Sequence, residues 1–518
     1  MPAECAPAQE RSNRSTSRFW TLALPSLSDA LFIMLMVLLF IGGMGWSTLL
    51  GDGDTATHIR NGDLMLATQS VPVRDPYSFT VPGTQWYAWE WLADILFAWA
   101  HRIAGLQAVV LVSGLVICLS MTLLFRHLIW RGAGLPAALF VTILAAGALR
   151  IHFLARPHIF TTLFAVLTFW MLDRDWSRPS RSVWWLVPLA VLWVNLHGGF
   201  VVLIVSLGLY TLAALLLRDG IRAWRYGLLA AVCSVATLAN PYGWSLHLHI
   251  WQYLRSDWLL NFVGEFHSPS FRNEETFKFE VLLFLGLAIL VPLIRRRRYQ
   301  EALLIVFWGH AALTSIRHIT IFAIAAAAPI AHQLGLLWDH WTLGSARDSI
   351  KGALRGLASD LLKPASRTSL WAPAFVLLTV IFGWGQWPVD FPGSIFPTGL
   401  VARNASRITG PGNENVRLLS SDLWGGYLNY KLYPGRHVFI DGRSDYFGPK
   451  ILDEYFRLRA ASDDWPQLAD RYRFAYALLP RDWPLASAMK RSPDWMLRDQ
   501  DQRGYLFERL RLGALDSK

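Results

Sequence analysis

Residues 30–60 read ALFIMLMVLLFIGGMGWSTLLGDGDTATHIR, and the break inside this stretch decides the fold. From Ala30 to Leu50 about 20 residues are apolar or small, enough to cross roughly 30 Å of hydrocarbon. Asp52, Asp54 and, one helical turn further, His58 follow directly. Two nearby acids raise each other's pKa, while a cation between them lowers it, so a pair at a semi-dry boundary can act as base or ligand. The plain alternative is a hydrated helix end.

Hydrophobic residues make up 53% of the 518 and charged residues 16%, and mean hydropathy is positive. This balance fits many lipid-facing helices and excludes an ordinary soluble enzyme. The net charge of +11 does not point to nucleic acid, because the basic residues lie in short clusters between apolar spans, where orientation is encoded. Arginine dominates that set, as in a GC-rich bacterial genome. Cys5, Cys118 and Cys233 have no metal-ligand or disulfide spacing. Residues 1–28 read as a cytoplasmic tail carrying Arg11, Arg14 and Arg18, with no small-residue cleavage site, so the first span is expected to stay as an anchor.

Further apolar stretches fall at 106–126, 135–150, 157–172, 184–195, 199–217, 224–239, 279–294, 301–316, 318–336 and 371–387, which predicts about eleven transmembrane helices. With the N-terminus inside, the basic connections Arg126 to Arg131, Arg174 to Arg181, Arg218 to Arg225, Arg295 to Arg298 and Arg347 to Arg367 all fall on the inner side. The last spaces Ile350, Leu354, Leu357 and Leu361 along one face, as a helix lying on an anionic membrane surface does. The opposite connections hold Asp52, Asp54, His58, Glu90, Arg156, His158, Asn195, His197, Glu265, Arg317 and His318. Any one of these is an ordinary helix cap; their recurrence at one face points to a functional surface.

The first external loop, 51–105, is too long for a turn and needs structure of its own. Helices are expected at Ala56 to Thr68 and Glu90 to Ala104, with turn chemistry at Val71 to Pro76 and an extended piece at Tyr77 to Val81. Glu90 reads as a cap for the second helix or a contact to substrate hydroxyls. From 388 to 518 charges become frequent and apolar runs shorten. Strands are expected at Val416 to Leu419, His437 to Ile440, Phe474 to Leu479 and Tyr505 to Phe507, and helices at Leu423 to Leu432 and Pro449 to Ala460. The chain thus divides into a tail (1–28), an α-helical polytopic membrane domain (29–387) and a C-terminal extracytoplasmic α/β domain (388–518).

The layout resembles the GT-C superfamily of polytopic membrane glycosyltransferases. Its first loop is similar to that of the oligosaccharyltransferase catalytic subunit family through Asp52-Gly53-Asp54, His58, Arg60, Gly62, Asp75-Pro76 and Pro82-Gly83. Asp422-Leu423-Trp424-Gly425-Gly426-Tyr427, followed by His437 to Asp441, resembles that family's Trp-Trp-Asp-Tyr-Gly segment and the strand after it. In this chain the aspartate precedes the Trp, and Arg150 to His158 lacks the family's second acidic motif. The superfamily is therefore carried over, not the peptide-specific reaction.

The resemblance implies inverting transfer of a sugar or glycan from a polyprenyl-phosphate donor to an extracytoplasmic lipid, polysaccharide or protein, in the bacterial cytoplasmic membrane. Asp54 is the expected base or acceptor orienter, with Asp52 and His58 beside it. Arg156, His158, Arg317 and His318 are candidates for the donor phosphate. Glu90, Asn195, His197, Glu265, Trp424 and Tyr427 are candidates for substrate contacts, with buried packing the plain alternative for the two aromatics. Asp52 and Asp54 are the candidate ligands for Mg or Mn, although such sites want more carboxylates than this loop supplies. The competing classes are a transporter, which would place polar groups at the midplane, and a catalytically inactive scaffold.

Overall fold

The computed structural model describes residues 22–40, 45–365, 367, 369–383, 387–410 and 416–510. Most of the tail, part of the first span (41–44) and part of the linker after Thr409 lie outside the described residues.

Among the described residues, five helical stretches are long and apolar enough to cross a membrane: Trp91–Trp130, Leu135–His152, Gly198–Leu216, Phe277–Arg295 and Ile316–Thr342. Leu27–Phe40, Arg181–Leu196 and Trp371–Gly383 are apolar but shorter. The chain is a multi-pass membrane protein, but the expected eleven spans are not all matched by helices of sufficient length. At 1.5 Å per residue, Gly220–Ala236 (17 residues) and Tyr299–Thr314 (16 residues) fall short of the hydrocarbon thickness. The 20-residue helix His158–Ser177 ends on Asp173, Arg174 and Asp175. The breaks at His197 and at Arg317-His318 do separate distinct helices.

The helix Ile319–Thr342 lies at the centre, and its run Ala325 to Ala328 is buried, since small side chains let neighbouring helices approach closely. Around it the core combines residues such as Phe125, Trp193 and Phe279. At the end of Trp91–Trp130 remote from Glu90, His127 Nε2 lies 2.8 Å from Asp173, and Arg131 pairs with Glu301. These contacts satisfy polar groups that the helices leave near hydrocarbon.

The first loop contains two helices, Asp54–Thr68 and the first turns of Trp91–Trp130. In the latter a break at Ala104 and Gly105, where Gly105 has φ +64°, separates an amphipathic segment from the apolar run behind it. Trp99 and Ile103 are exposed on that segment, as expected for a face turned to lipid. The two helices touch at Gly62, where a Cβ would stand 2.0 Å from the Asp94 carbonyl. A glycine that weakens the helix on propensity grounds is thus what permits the contact.

The C-terminal segment forms a four-stranded sheet of β1 (Arg417–Ser420), β2 (Phe474–Pro480), β3 (Trp495–Gln500) and β4 (Gly504–Arg509), in the order β1-β2-β4-β3. The β1–β2 pair is parallel and the other two are antiparallel. The strand expected at His437 to Ile440 is reduced to bridges from Val438 to Ser78 and Leu418, because the chain turns away at Gly442 towards the Asp54 helix. The helix Asp422–Leu432 packs on Asp54–Thr68 through backbone contact: a Cβ on Gly426 would lie 2.4 Å from the Gly53 carbonyl, and one on Gly53 would lie 2.6 Å from that of Leu423. Arg443 ties the segment to the first loop, with Nη1 2.8 Å from Asp75 and Nη2 2.7 Å from Asp441.

Gly426→Val should therefore destabilise the protein by about 1–3 kcal/mol through overpacking. The measurement is thermal unfolding in detergent, and an unchanged midpoint would contradict the close contact.

Candidate active site

The first span ends in a turn built for ionic contact. The Asp52 carboxylate accepts from the Asp54 amide at 2.8 Å, placing both acids at the start of Asp54–Thr68, where the helix dipole favours negative charge. Thr55 Oγ1 donates to the Ala155 carbonyl at 2.9 Å, and the Ala155 amide donates to the Leu49 carbonyl at 2.8 Å. These two bonds bring the Arg150 to His158 connection against the turn and set Arg156 between the acids.

Arg156 Nη1 lies 2.8 Å from Asp52 and 3.3 Å from Glu265, and its Nη2 lies 2.8 Å from Asp54. Glu265, carried on the short turn Gly264–Phe266, is also held by Arg317 Nε at 2.6 Å. Arg317 itself lies over the Phe266 ring. Burial raises Glu265, but Arg156 and Arg317 outweigh it and bring the carboxyl down to about 2. For Asp54 the balance is reversed: burial outweighs Arg156, Asp52 adds repulsion, and the pKa rises to about 6.

A second chain of groups runs beside the first. His58 lies one turn after Asp54, and Asp94 one turn after Glu90, so the helix contact at Gly62 brings four titratable side chains together. His58 Nδ1 is 2.6 Å from Asp94, and its Nε2 is 3.5 Å from Glu90. Burial opposes charge on His58, yet Asp94 and Glu90 prevail and lift it to about 9. Glu90 occupies the N-cap position of Trp91–Trp130 but makes no capping hydrogen bond with its side chain. Its carboxylate instead faces His58 and, at 3.3 Å, His197 Nε2. The cap reading of Glu90 is thereby corrected.

Both chains face a cavity of about 430 Å³, lined by Asp54, His58, Glu90, Arg156, His158, His197, Glu265, Arg317 and His318 among others. Trp89, Tyr253 and Trp308 supply aromatic wall. His158 Nε2 lies 2.5 Å from the His152 carbonyl, and His318 Nδ1 lies 3.2 Å from that of Ala311; burial keeps both rings neutral, so the one N–H of each is spent on a backbone carbonyl. Gly442 seals the Asp54 edge, since a Cβ there would lie 2.4 Å from Asp54 Oδ1.

Four expected site residues do not line the cavity, and of these Asp52 stands behind Asp54, paired with Arg156. Asn195 accepts from Trp91 Nε1 at 2.7 Å and donates to the carbonyls of Val191 and Ala239, which employs both ends of the amide in joining helices. Trp424 is buried with Nε1 donating to the Ile395 carbonyl, and Tyr427 is buried against Phe391 and Phe396. They support the turn from behind. Sequence reading missed Asp94, Arg443 and Gly442; the i, i+4 spacing of Glu90 and Asp94 was the available signal for the first.

The residues do not fit a resident Mg or Mn. Asp52, Asp54 and Glu265 all spend oxygens on the Arg156 guanidinium, which stands where a cation bridging them would stand. Among the described residues no group of three His, Cys, Asp or Glu side chains could hold a metal ion.

The chain thus combines membrane-type helices, a cavity of ionisable groups and a small α/β unit that closes one edge of it. No family model matches the sequence, and no curated relative matches it. Among solved structures the chain is similar to the archaeal oligosaccharyltransferase AglB from Archaeoglobus fulgidus in complex with an inhibitory peptide and a dolichol-phosphate. The TM-score is 0.61 and the identity 12%, covering 90% of this chain and 70% of that one. The Archaeoglobus fulgidus oligosaccharyltransferase in the apo form gives a TM-score of 0.57 at 12% identity, covering 89% and 70%. At this identity the likeness is one of fold.

Arg156→Ala leaves three carboxylates facing one another. It should cost about 2 kcal/mol or more, with Arg156→Lys intermediate because it keeps charge but loses the fork. Thermal unfolding of the two variants checks the order.

Proposed function

We propose that the protein is an integral-membrane glycosyltransferase that moves a sugar from a polyprenyl-phosphate donor to an acceptor outside the bacterial cytoplasmic membrane. The observation that carries this reading is the convergence on one cavity of a half-buried acid of raised proton affinity, Asp54, with arginines suited to a phosphate. The oligosaccharyltransferase-like fold supports it. In this reading the N-terminus is cytoplasmic, and the cavity and residues 388–518 face outward.

The acceptor's O–H or N–H attacks the anomeric carbon, the bond from that carbon to the phosphate oxygen breaks, and the electron pair leaves on the phosphate with inversion at carbon. Asp54 orients the acceptor, its carboxylate being fixed by Arg156. Arg317 compensates the charge that grows on the departing phosphate. Arg156 is tied to three acids and therefore acts as their fixed counter-ion, not as the main phosphate ligand. That internal cation makes a divalent metal unnecessary for holding the acids together.

Asp54→Asn should reduce transfer from a polyprenyl-phosphate hexose by about 100-fold or more while the protein stays folded in the membrane. Transfer at the normal rate by that variant removes Asp54 from the mechanism. Wild-type transfer should continue unchanged in a chelator, and inactivation reversed by added Mg or Mn overturns metal independence. Failure to bind any polyprenyl phosphate separates the enzyme reading from a transporter or an inactive scaffold.

A further inference from the structure

We propose that Glu90, held between His58 and His197 at the cavity wall, is the group that takes the acceptor's proton. This rests on the glycosyltransferase reading and names the base that it requires.

The argument begins with where protons sit. His197 Nδ1 receives the Gly199 amide at 3.0 Å and lies 2.8 Å from Thr161 Oγ1. Thr161 Oγ1 in turn accepts from Trp193 Nε1 at 2.8 Å, so the hydroxyl hydrogen is directed at His197. With Nδ1 serving as acceptor, the ring proton of neutral His197 is on Nε2, which faces Glu90 Oε1 at 3.3 Å. Burial, followed by the charges of Arg317 and Arg156, holds His197 neutral at about 3. On the other side Asp94 grips His58 Nδ1 and leaves Nε2 facing Glu90 Oε2. Glu90 is thus aimed at by the Nε2–H groups of two rings that are held from behind, a charged one and a neutral one.

Asp54 is less suited to the task because Arg156 lies 2.8 Å from its Oδ2, whereas among the described residues no arginine or lysine lies within ion-pair distance of Glu90. A carboxylate opposed only by imidazoles keeps more basicity than one paired with guanidinium. The groups that face Glu90 are Asp94 on its own helix, Asp54 and His58 on the adjacent helix, Arg156 on the second connection and His197 beyond it. Their sum, with burial the leading cause, His58 pulling down and Asp94 pushing up, brings Glu90 to about 7.

In the reaction the new bond joins the acceptor heteroatom to the anomeric carbon and the phosphate departs with the old bond's electron pair. The acceptor proton passes to a Glu90 oxygen, turning carboxylate into carboxylic acid. His58, Asp94 and His197 are positioning residues.

The test uses the full chain in lipid nanodiscs, with a polyprenyl phosphate as binding probe and a radiolabelled polyprenyl-phosphate hexose presented to isolated cell envelopes as transfer probe. Glu90→Gln should bind polyprenyl phosphate as the wild type does and transfer about 100-fold more slowly or worse. The wild-type rate should rise with pH through about 7 as Glu90 loses its proton, and this limb should vanish in Glu90→Gln. His58→Gln removes the positive charge that favours carboxylate, so its limb should move to higher pH. Glu90→Asp should retain a limb. Near-normal transfer by Glu90→Gln while Asp54→Asn is inactive overturns the assignment and leaves the function standing. Loss of polyprenyl phosphate binding in Glu90→Gln overturns it too, by making Glu90 a donor or structural group. A wild type that neither binds nor transfers removes the function, and the base with it.

Discussion

One guanidinium among three carboxylates holds the site together. Arg156 reaches the first connection, the second and the Gly264–Phe266 turn at once, so three separately threaded parts of the chain are referred to a single planar cation. A fork of fixed geometry imposes direction as well as charge. Partial exclusion of water strengthens each contact and penalises loss of any partner. The same burial that makes the cluster cohesive raises the proton affinity of Asp54, while Glu265, with a second arginine, is driven the other way. Carboxylates sharing one cation end with different chemistry because their remaining neighbours differ.

Much of the first loop was legible in the sequence. The break between Leu50 and Asp52, the helix that follows and the apolar face of the second helix all follow from periodicity and charge, and the structure has them. The edge strand β3 was not legible: Trp-Met-Leu-Arg-Asp-Gln has only one buried position and resembles a loop. Helix length was misjudged for a related reason. Apolar content marks a segment as non-aqueous, but whether it reaches across lipid depends on how many helical residues it carries, and Gly220–Ala236 and Tyr299–Thr314 have only 17 and 16.

The site was half legible. Asp54, His58, Arg156, Arg317 and Glu265 were recognisable as polar groups at helix ends, and the cavity gathers them. Their pairings were not, because an arginine near an acid motif reads equally well as a phosphate ligand and as an ion-pair partner. Asn195 has the composition of a binding residue and the work of a brace. Trp424 and Tyr427 lie in a motif whose glycines matter more than its rings: Gly425 and Gly426 let the helix approach Ile440 and Gly53, where a side chain would collide.

Gly442 forms one wall against Asp54 although nearly four hundred residues of chain separate them. A polypeptide still being made, or one truncated before that glycine, has its acids in place with that edge of the chamber missing. The enclosure that withdraws water from Asp54 comes into being only when the last fifth of the protein has arrived.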